Sequence, residues 1–148
     1  MGRILAVDFG HVRVGLALSD PMRWFASPLP NIQGSKNPKK AAQTLATTMS
    51  EICAAKKIEI DLIVVGLPLH LDGSESERSK EVRLFCDALK ELTPIKIELF
   101  DERMTTLQAE RSLIEANLSR KKRSRTIDGV SSTILLQSFL DFQKMRSV

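Results

Sequence analysis

The sequence predicts an α/β fold, in which a mixed five-stranded sheet is flanked by helices. Apolar runs at residues 3–9 and 62–66 are typical of buried strands, and segments with helical periodicity separate the later strands. A short turn that includes Gly10 joins the first run to a second one, which indicates an antiparallel hairpin. A hairpin followed by alternating helices and strands predicts a sheet that is antiparallel at first and parallel afterwards.

The first half of the chain supplies the antiparallel strands and one helix. Residues 12–18 complete the hairpin, and two prolines restrict a third strand, at 24–29, to the edge of the sheet. Asn37 and Pro38 predict a helix start, because asparagine caps a first turn and proline fits within it. The apolar face of this helix is formed by Leu45, Met49 and Ile52.

The second half alternates strands and helices. A helix is expected after the loop at 67–74, and Pro94 ends it before a strand at 95–100 with alternating apolar and polar residues. Residues 105–108 match a capping box and predict a third helix, which precedes a last helix with apolar residues from Ile127 to Phe142. We therefore expect one domain that spans residues 1–148.

Composition excludes several classes of protein. The chain is 43% hydrophobic and 27% charged, as is usual for soluble globular proteins. No run approaches the roughly 20 apolar residues of a membrane span, and no secretory signal is visible, so we expect a cytoplasmic protein that does not bind membranes. Cys53 and Cys86 lack partners at metal-ligand spacing and are expected to be reduced thiols.

The positive charge is concentrated in one short segment. Lys and Arg number 22 and Asp and Glu 18, a net charge of +4; without five clustered basic residues the balance is 17 against 18, or −1. This basic cluster consists of Arg120, Lys121, Lys122, Arg123 and Arg125. Such a cluster can neutralise phosphates of a nucleic acid, or it can be a solvated loop that aids solubility.

Carboxylates occur where the predicted elements end or begin. Asp8 ends the first strand, Asp101 and Glu102 follow the last, and Asp128 lies in the first turn of the final helix. Ligands of open α/β sheets bind at the carboxyl ends of strands, and Mg²⁺ and Mn²⁺ prefer oxygen ligands. Taken singly, an aspartate in the position of Asp8 is more often a turn residue, and one in the position of Asp128 more often caps a helix. Asp101 and Glu102 are harder to explain in this way, because Thr105 is the expected cap of the helix that follows them.

The hairpin turn also has the features of a phosphate contact. Glycines let a backbone approach a phosphate, and Arg13 can add a bidentate contact. The chain has one Trp, no Tyr and six Phe, which favours recognition of backbone and shape over base stacking. His11 and His70 are the two histidines, and such residues are more often ordinary loop residues than ligands.

Four segments resemble, in order, the signatures of the YqgF (RuvX) family and span nearly the whole chain. They are Val7–Gly10 with Arg13–Asp20, Val64–Pro68 with Asp72–Ser74, Asp101–Thr106, and Ile127–Val130 with Ile134–Gln137. The chain departs from the family pattern at His70, at Ser131 and Ser132, and in residues 75–79, which lack the usual Gly-Pro. These departures leave the acidic positions unchanged and bear on substrate choice.

The resemblance implies an RNase H-like fold and a metal-dependent nuclease. It gives Asp8, Glu102 and Asp128 the catalytic positions, with Asp101 beside them as an alternate metal ligand or as a residue that orients a ligand. The expected metal is Mg²⁺ or Mn²⁺, and two ions per site would activate a water and stabilise the departing oxygen. Family members are assigned to 5′-end maturation of precursor 16S ribosomal RNA or to cleavage of Holliday junctions, which would need a homodimer. The basic residues expected to hold the nucleic acid are Arg13, Arg103, Arg120, Lys121, Lys122, Arg123 and Arg125.

The sequence leaves two alternative functions to consider. An ATPase or sugar kinase of the actin-like class needs two related domains, whereas this chain of 148 residues has one phosphate-type hairpin. The second alternative is a non-catalytic protein that binds RNA during ribosome assembly. A polyanion binder gains nothing from clustered negative charge without metal, so the acidic positions favour the nuclease.

Overall fold

In a computed structural model of the chain, five strands form one mixed sheet with helices on both faces. The structure describes residues 2–105 and 127–146, with backbone alone for residues 127–130. The strands are β1 (Arg3–Asp8), β2 (Arg13–Ser19), β3 (Ala26–Gln33), β4 (Ile60–Leu67) and β5 (Lys96–Asp101). The helices are α1 (Pro38–Lys56), α2 (Glu77–Lys90) and α3 (Ile127–Arg146), and a 3₁₀ turn (Glu102–Met104) follows β5.

The order of the strands is β3-β2-β1-β4-β5. β1 is antiparallel to β2, which is antiparallel to β3, whereas β4 is parallel to both β1 and β5. The predicted sheet, antiparallel first and parallel afterwards, is therefore confirmed. One consequence matters for the site: β1, β4 and β5 all end at the same edge of the sheet, which we call the carboxyl edge.

The predicted edge strand starts later and runs further than the sequence indicated. Asp20 accepts hydrogen bonds from the amides of Trp24 (2.7 Å) and Phe25 (2.8 Å), which holds these residues in a turn and delays β3 to Ala26. The strand then reaches Gln33. Its two prolines are tolerated because β3 has a neighbour on one side only.

Side chains of the strands alternate between two cores. Leu5 and Val7 of β1 face α1 and α2, whereas Ile4 and Ala6 face α3. Leu45 and Met49 of the predicted apolar face of α1 are buried in the first core, whereas Ile52 is half-buried. No helix within the described ranges is long and apolar enough to cross a bilayer.

The starts of the helices depend on side-chain caps. The Asn37 side chain accepts a hydrogen bond from the amide of Lys39 (3.0 Å), as predicted for α1. At α2, the Ser76 hydroxyl accepts the Ser79 amide (3.0 Å), and the Ser79 hydroxyl accepts the Ser76 amide (2.8 Å). Serine replaces the usual Glu or Gln of this capping box, so the sequence did not predict it. The helix expected from Thr105 lies outside the described residues.

Phe85 and Leu84 of α2 give a direct test of this packing. Phe85 is fully buried in the first core, whereas Leu84 is 59% exposed. We expect Phe85→Ala to lower the free energy of unfolding by about 3–5 kcal/mol, because it leaves a cavity in a closed core. Leu84→Ala should change it by less than about 0.5 kcal/mol. Urea denaturation of both variants would measure this, and equal losses would contradict the described face of α2.

Candidate active site

Asp8 and Glu102 line one cleft at the carboxyl edge, which we call the carboxylate cleft. Its volume is about 420 Å³. Its lining residues are Asp8, Pro68, Arg78, Glu102, Thr105, Ser131, Ile134 and Leu135. Asp8 is the last residue of β1, and Glu102 is the first residue of the 3₁₀ turn after β5. The cleft is thus built by the ends of parallel strands on one side and by α3 on the other.

Gly66 provides the space that lets the two acidic side chains approach each other. Val7 of β1 lies opposite Val65 of β4, so Gly66 is level with Asp8. A Cβ atom at Gly66 would lie 2.6 Å from Oε1 of Glu102 and 3.2 Å from Cδ2 of Leu135. The Glu102 side chain therefore crosses β4 over a residue without a side chain. A glycine inside a buried strand is a signal of such a close approach, although the sequence alone did not say what approaches.

The charges in the carboxylate cleft oppose ionisation of Glu102. Burial raises the pKa of Glu102 above 4.5, and the negative charge of Asp8 raises it further. The Arg78 guanidinium lowers the pKa of Glu102, whereas Asp101 adds a smaller increase. A partly buried pair of carboxylates is stabilised by a proton or a cation, and its hard oxygen donors suit Mg²⁺ or Mn²⁺. The donor chemistry of Asp8 and Glu102 thus fits the expected metals.

A second cleft adjoins the first and is built on the turn between β1 and β2. We call it the hairpin cleft; its volume is about 370 Å³. It is lined by Asp8, Phe9, Gly10, His11, Val12, Arg13, Gly15, Arg78 and Glu81. The His11 ring contacts the Glu81 carboxylate on α2, which fastens the turn to the helix. Arg13, predicted to bind nucleic acid, lies on the wall of this cleft.

Arg78 lines both clefts, although no sequence motif marked it as a site residue. It is the second residue of α2, and its Nη2 donates a hydrogen bond to the Phe9 carbonyl (3.0 Å). An arginine near a helix start has no distinctive sequence signal. Its position beside Asp8 depends on how α2 packs against the hairpin turn, which a single sequence does not specify.

Asp101 and Arg103 bind each other at the rim of the carboxylate cleft. Nη2 of Arg103 donates to Oδ2 of Asp101 (2.7 Å), and the Arg103 amide donates to Oδ1 (2.9 Å). The hydrogen bond from Arg103 holds the pKa of Asp101 below its usual range. Nη1 of Arg103 also donates to the Leu71 carbonyl (3.2 Å), which ties the loop after β4 to this rim. The expected roles of Asp101 in metal binding and of Arg103 in nucleic-acid binding stay predictions.

The remaining predicted site residues lie in or near the part of the chain without a description. Asp128 belongs to the first turn of α3, and its side chain lies outside the described residues. Ser131 follows it by about one helical turn and lines the carboxylate cleft. The basic cluster at 120–125 also lies outside the described residues. Within the described ranges, no three His, Cys, Asp or Glu residues form a metal-binding group.

The approach of Asp8 to Glu102 predicts how stability depends on pH. A carboxyl group whose pKa is raised by folding destabilises the folded chain once it is ionised. This penalty is complete above the folded pKa and disappears as the pH falls to about 4.5, the unfolded value. We expect Glu102→Gln to raise the thermal unfolding midpoint at pH 7 in chelator, with a gain that declines to zero towards pH 4.5.

Two measurements check this expectation. Glu51→Gln, at an exposed site on α1, is the matched control and should give no comparable gain. An NMR titration of the Glu102 carboxyl carbon should show a lower pKa in Asp8→Asn than in the parent chain, because the repelling charge is gone. An unchanged Glu102 pKa in that variant would mean that the two carboxylates do not interact.

Known proteins resemble the chain over almost its full length. A family model described as "RuvX: Holliday junction resolvase" matches residues 2–142. The "Putative pre-16S rRNA nuclease" of Protochlamydia amoebophila (strain UWE25) is 48% identical over 139 residues, which cover 94% of this chain and 93% of that protein. The protein of the same name from Rhodopirellula baltica (strain DSM 10527 / NCIMB 13988 / SH1) is 42% identical over 145 residues, or 98% and 80% of the two chains.

The fold is shared with a solved structure of low sequence identity. "T. thermophilus RuvC in complex with Holliday junction substrate" superposes with a TM-score of 0.59 at 11% identity, over 100% of this chain and 98% of that chain. This likeness confirms the predicted RNase H-like fold class. The family model accounts for residues 2–142, and two relatives share 42% and 48% of the aligned residues. The chain therefore belongs to the RuvX family, as its four motifs predicted.

Proposed function

We propose that this protein is a metal-dependent endonuclease that hydrolyses phosphodiester bonds in the 5′-end maturation of precursor 16S ribosomal RNA. The observation that carries this proposal is the meeting of Asp8 and Glu102 in one cleft at the carboxyl edge. The names of relatives at 48% and 42% identity favour ribosomal RNA as the substrate. The chain as a whole, residues 1–148, would act as a single domain in the cytoplasm.

Asp8, Glu102 and Asp128 would hold the metal, with Asp101 as a further candidate ligand. Mg²⁺ or Mn²⁺, two ions per site, would supply an activated water and charge stabilisation for the departing oxygen. Asp8 ends β1, and Glu102 begins the 3₁₀ turn directly after β5, so both carboxylates are held beside rigid strands. Asp128 lies about one helical turn before Ser131, which lines the carboxylate cleft, and this spacing supports its assignment to the site.

The remaining predicted residues would bind the nucleic-acid backbone. Arg13 lies on the wall of the hairpin cleft, which Asp8 also lines. Arg103 follows Glu102 in the 3₁₀ turn, where it also holds the loop after β4. The basic cluster would extend the contact, since several clustered cations can neutralise several phosphates and release their counterions. Nucleic acid would thus be held mainly through its phosphates and its shape.

A second candidate is cleavage of branched DNA in recombination or repair. The description of the family model as a Holliday junction resolvase favours it. Symmetric cleavage of a four-way junction needs two active sites, so this activity would require a homodimer. A third candidate, non-catalytic RNA binding during ribosome assembly, gains no support from the carboxylate cleft, because paired negative charges repel a polyanion in the absence of metal.

The central test is Asp8→Asn. Loss of a residue that merely orients a metal ligand costs 10–100-fold, so we expect loss of the ligand itself to cost more than about 100-fold in cleavage rate. Precursor 16S ribosomal RNA and a four-way DNA junction should be compared side by side with Mg²⁺ or Mn²⁺. Asp87→Asn, an exposed site on α2, is the matched control and should cleave like the parent chain.

The outcomes separate the three candidates. Cleavage of the ribosomal precursor alone supports the proposed function, whereas cleavage of the junction alone favours the resolvase. Binding that persists in chelator without cleavage of either substrate favours the non-catalytic role. An Asp8→Asn variant with undiminished cleavage would contradict the assignment of the site.

Gly66→Ala tests whether the position of Glu102 matters for cleavage. The added Cβ would lie 2.6 Å from Oε1 of Glu102, so the Glu102 carboxylate must shift from its position in the carboxylate cleft. A displacement of about 1 Å can cost on the order of 100-fold in rate, and we expect a loss of this size. Circular dichroism should show that the sheet is retained. A variant that cleaves at the parental rate would show that Glu102 need not lie over Gly66.

A further inference from the structure

Arg78 lies at the boundary between the two clefts of the carboxyl edge. Among the residues that the structure describes, Asp8 and Arg78 line both the carboxylate cleft and the hairpin cleft. The positive charge of Arg78 reaches Glu102, since it lowers the pKa of that carboxyl group. A nucleic-acid strand that occupied both clefts would therefore pass over Asp8 and Arg78.

The backbone around Arg78 is fixed by its neighbours. The mutual hydrogen bonds of Ser76 and Ser79 close the first turn of α2, and the Ser76 hydroxyl donates to the Pro68 carbonyl at the start of the loop after β4. The guanidinium is anchored by its hydrogen bond to the Phe9 carbonyl (3.0 Å), next to Asp8. Arg78 is thus positioned from both sides of the site, on a helix start and not on a loop.

The bonding of Arg78 differs from that of neighbouring arginines. Arg83 donates to both carboxylate oxygens of Glu75 (2.6 and 3.2 Å), and Arg103 is similarly bound to Asp101. Among the described residues, no carboxylate lies within ion-pair distance of Arg78. A guanidinium carries five N–H donors, and the Phe9 carbonyl takes one of them. The others can meet an oxyanion.

We propose that Arg78 is a catalytic residue whose guanidinium contacts the phosphate that is cleaved. This inference rests on the proposed nuclease function and names a group that the family motifs did not supply. In phosphodiester hydrolysis, negative charge increases on the phosphate oxygens as water attacks and the leaving oxygen departs. A planar guanidinium can donate two parallel hydrogen bonds to such oxygens, and it does so most effectively where it is already held in place.

The substitutions Arg78→Gln and Arg78→Lys test this role in cleavage. We expect Arg78→Gln to lower kcat by about 100- to 1,000-fold, the usual effect of removing one preorganised donor from a developing oxyanion. Arg78→Lys keeps the charge but loses the bidentate geometry, so it should recover part of the rate. Arg83→Gln, five residues along the same helix, is the matched control and should keep the parental rate.

Binding gives a readout that does not depend on turnover. In the Asp8→Asn background, the slope of log affinity against log salt should fall by about 0.7–0.9 on adding Arg78→Gln, since one phosphate contact is lost. Adding Arg83→Gln instead should leave the slope unchanged. This experiment separates the two proposals: a parent chain that cleaves nothing would end the nuclease assignment, while the slope still decides whether Arg78 contacts phosphate.

Three results would overturn the role of Arg78. They are a kcat for Arg78→Gln within about threefold of the parent, a salt slope that the substitution does not change, and a loss of rate that follows a matching loss of thermal stability. The last result would mean that the hydrogen bond to the Phe9 carbonyl serves only to hold the turn. A reduced kcat and slope with an unchanged unfolding midpoint would support the contact with the cleaved phosphate.

Discussion

Repulsion between two carboxylates is the constraint on which the site depends. Asp8 and Glu102 are brought together by rigid strands, and the fold holds them there although burial and like charge raise the pKa of Glu102. A protein chosen for stability alone would place a neutral residue at one of these positions. The arrangement is reasonable if a cation is the partner for which the pair is built, because the metal then removes the repulsion.

The topology of the sheet converts distant sequence positions into neighbours. β1, β4 and β5 are parallel, so the residues that follow them converge at one edge even though Asp8 and Glu102 are far apart in the chain. Each of the three strands contributes a different element: a carboxylate from β1, an empty space at Gly66 from β4, and the second carboxylate from the turn after β5. α3 covers the same face, which gives the cleft its other wall.

Much of this arrangement could be predicted from the sequence. Long apolar runs identified β1 and β4, paired prolines identified an edge strand, and Asn37-Pro38 identified the start of α1. The rule that sites lie at strand ends correctly placed Asp8 and Glu102 at one edge. The pattern of apolar residues was therefore enough to predict most of the fold and the shared edge of Asp8 and Glu102.

The features that escaped prediction depend on the directions of side chains. Asp101 and Glu102 are adjacent in sequence, yet Asp101 turns to Arg103 and Glu102 turns to Asp8. Which one faces the cleft is decided by the 3₁₀ turn, and no local pattern specified that turn. The position of Arg78 depends on packing between α2 and the hairpin turn. The hydrogen bond that joins them, from Arg78 to the Phe9 carbonyl, spans a sequence separation of 69 residues.

The prolines of β3 affect how two molecules of this protein can associate through their sheets. An outer strand normally presents a row of amide protons and carbonyl oxygens to which another chain can add, which is a route to aggregation. Pro28 and Pro30 supply no amide proton, so the row on β3 is interrupted near its middle. Extension of the sheet from one molecule into the next is therefore disfavoured at β3, which leaves β5 as the other border of the sheet.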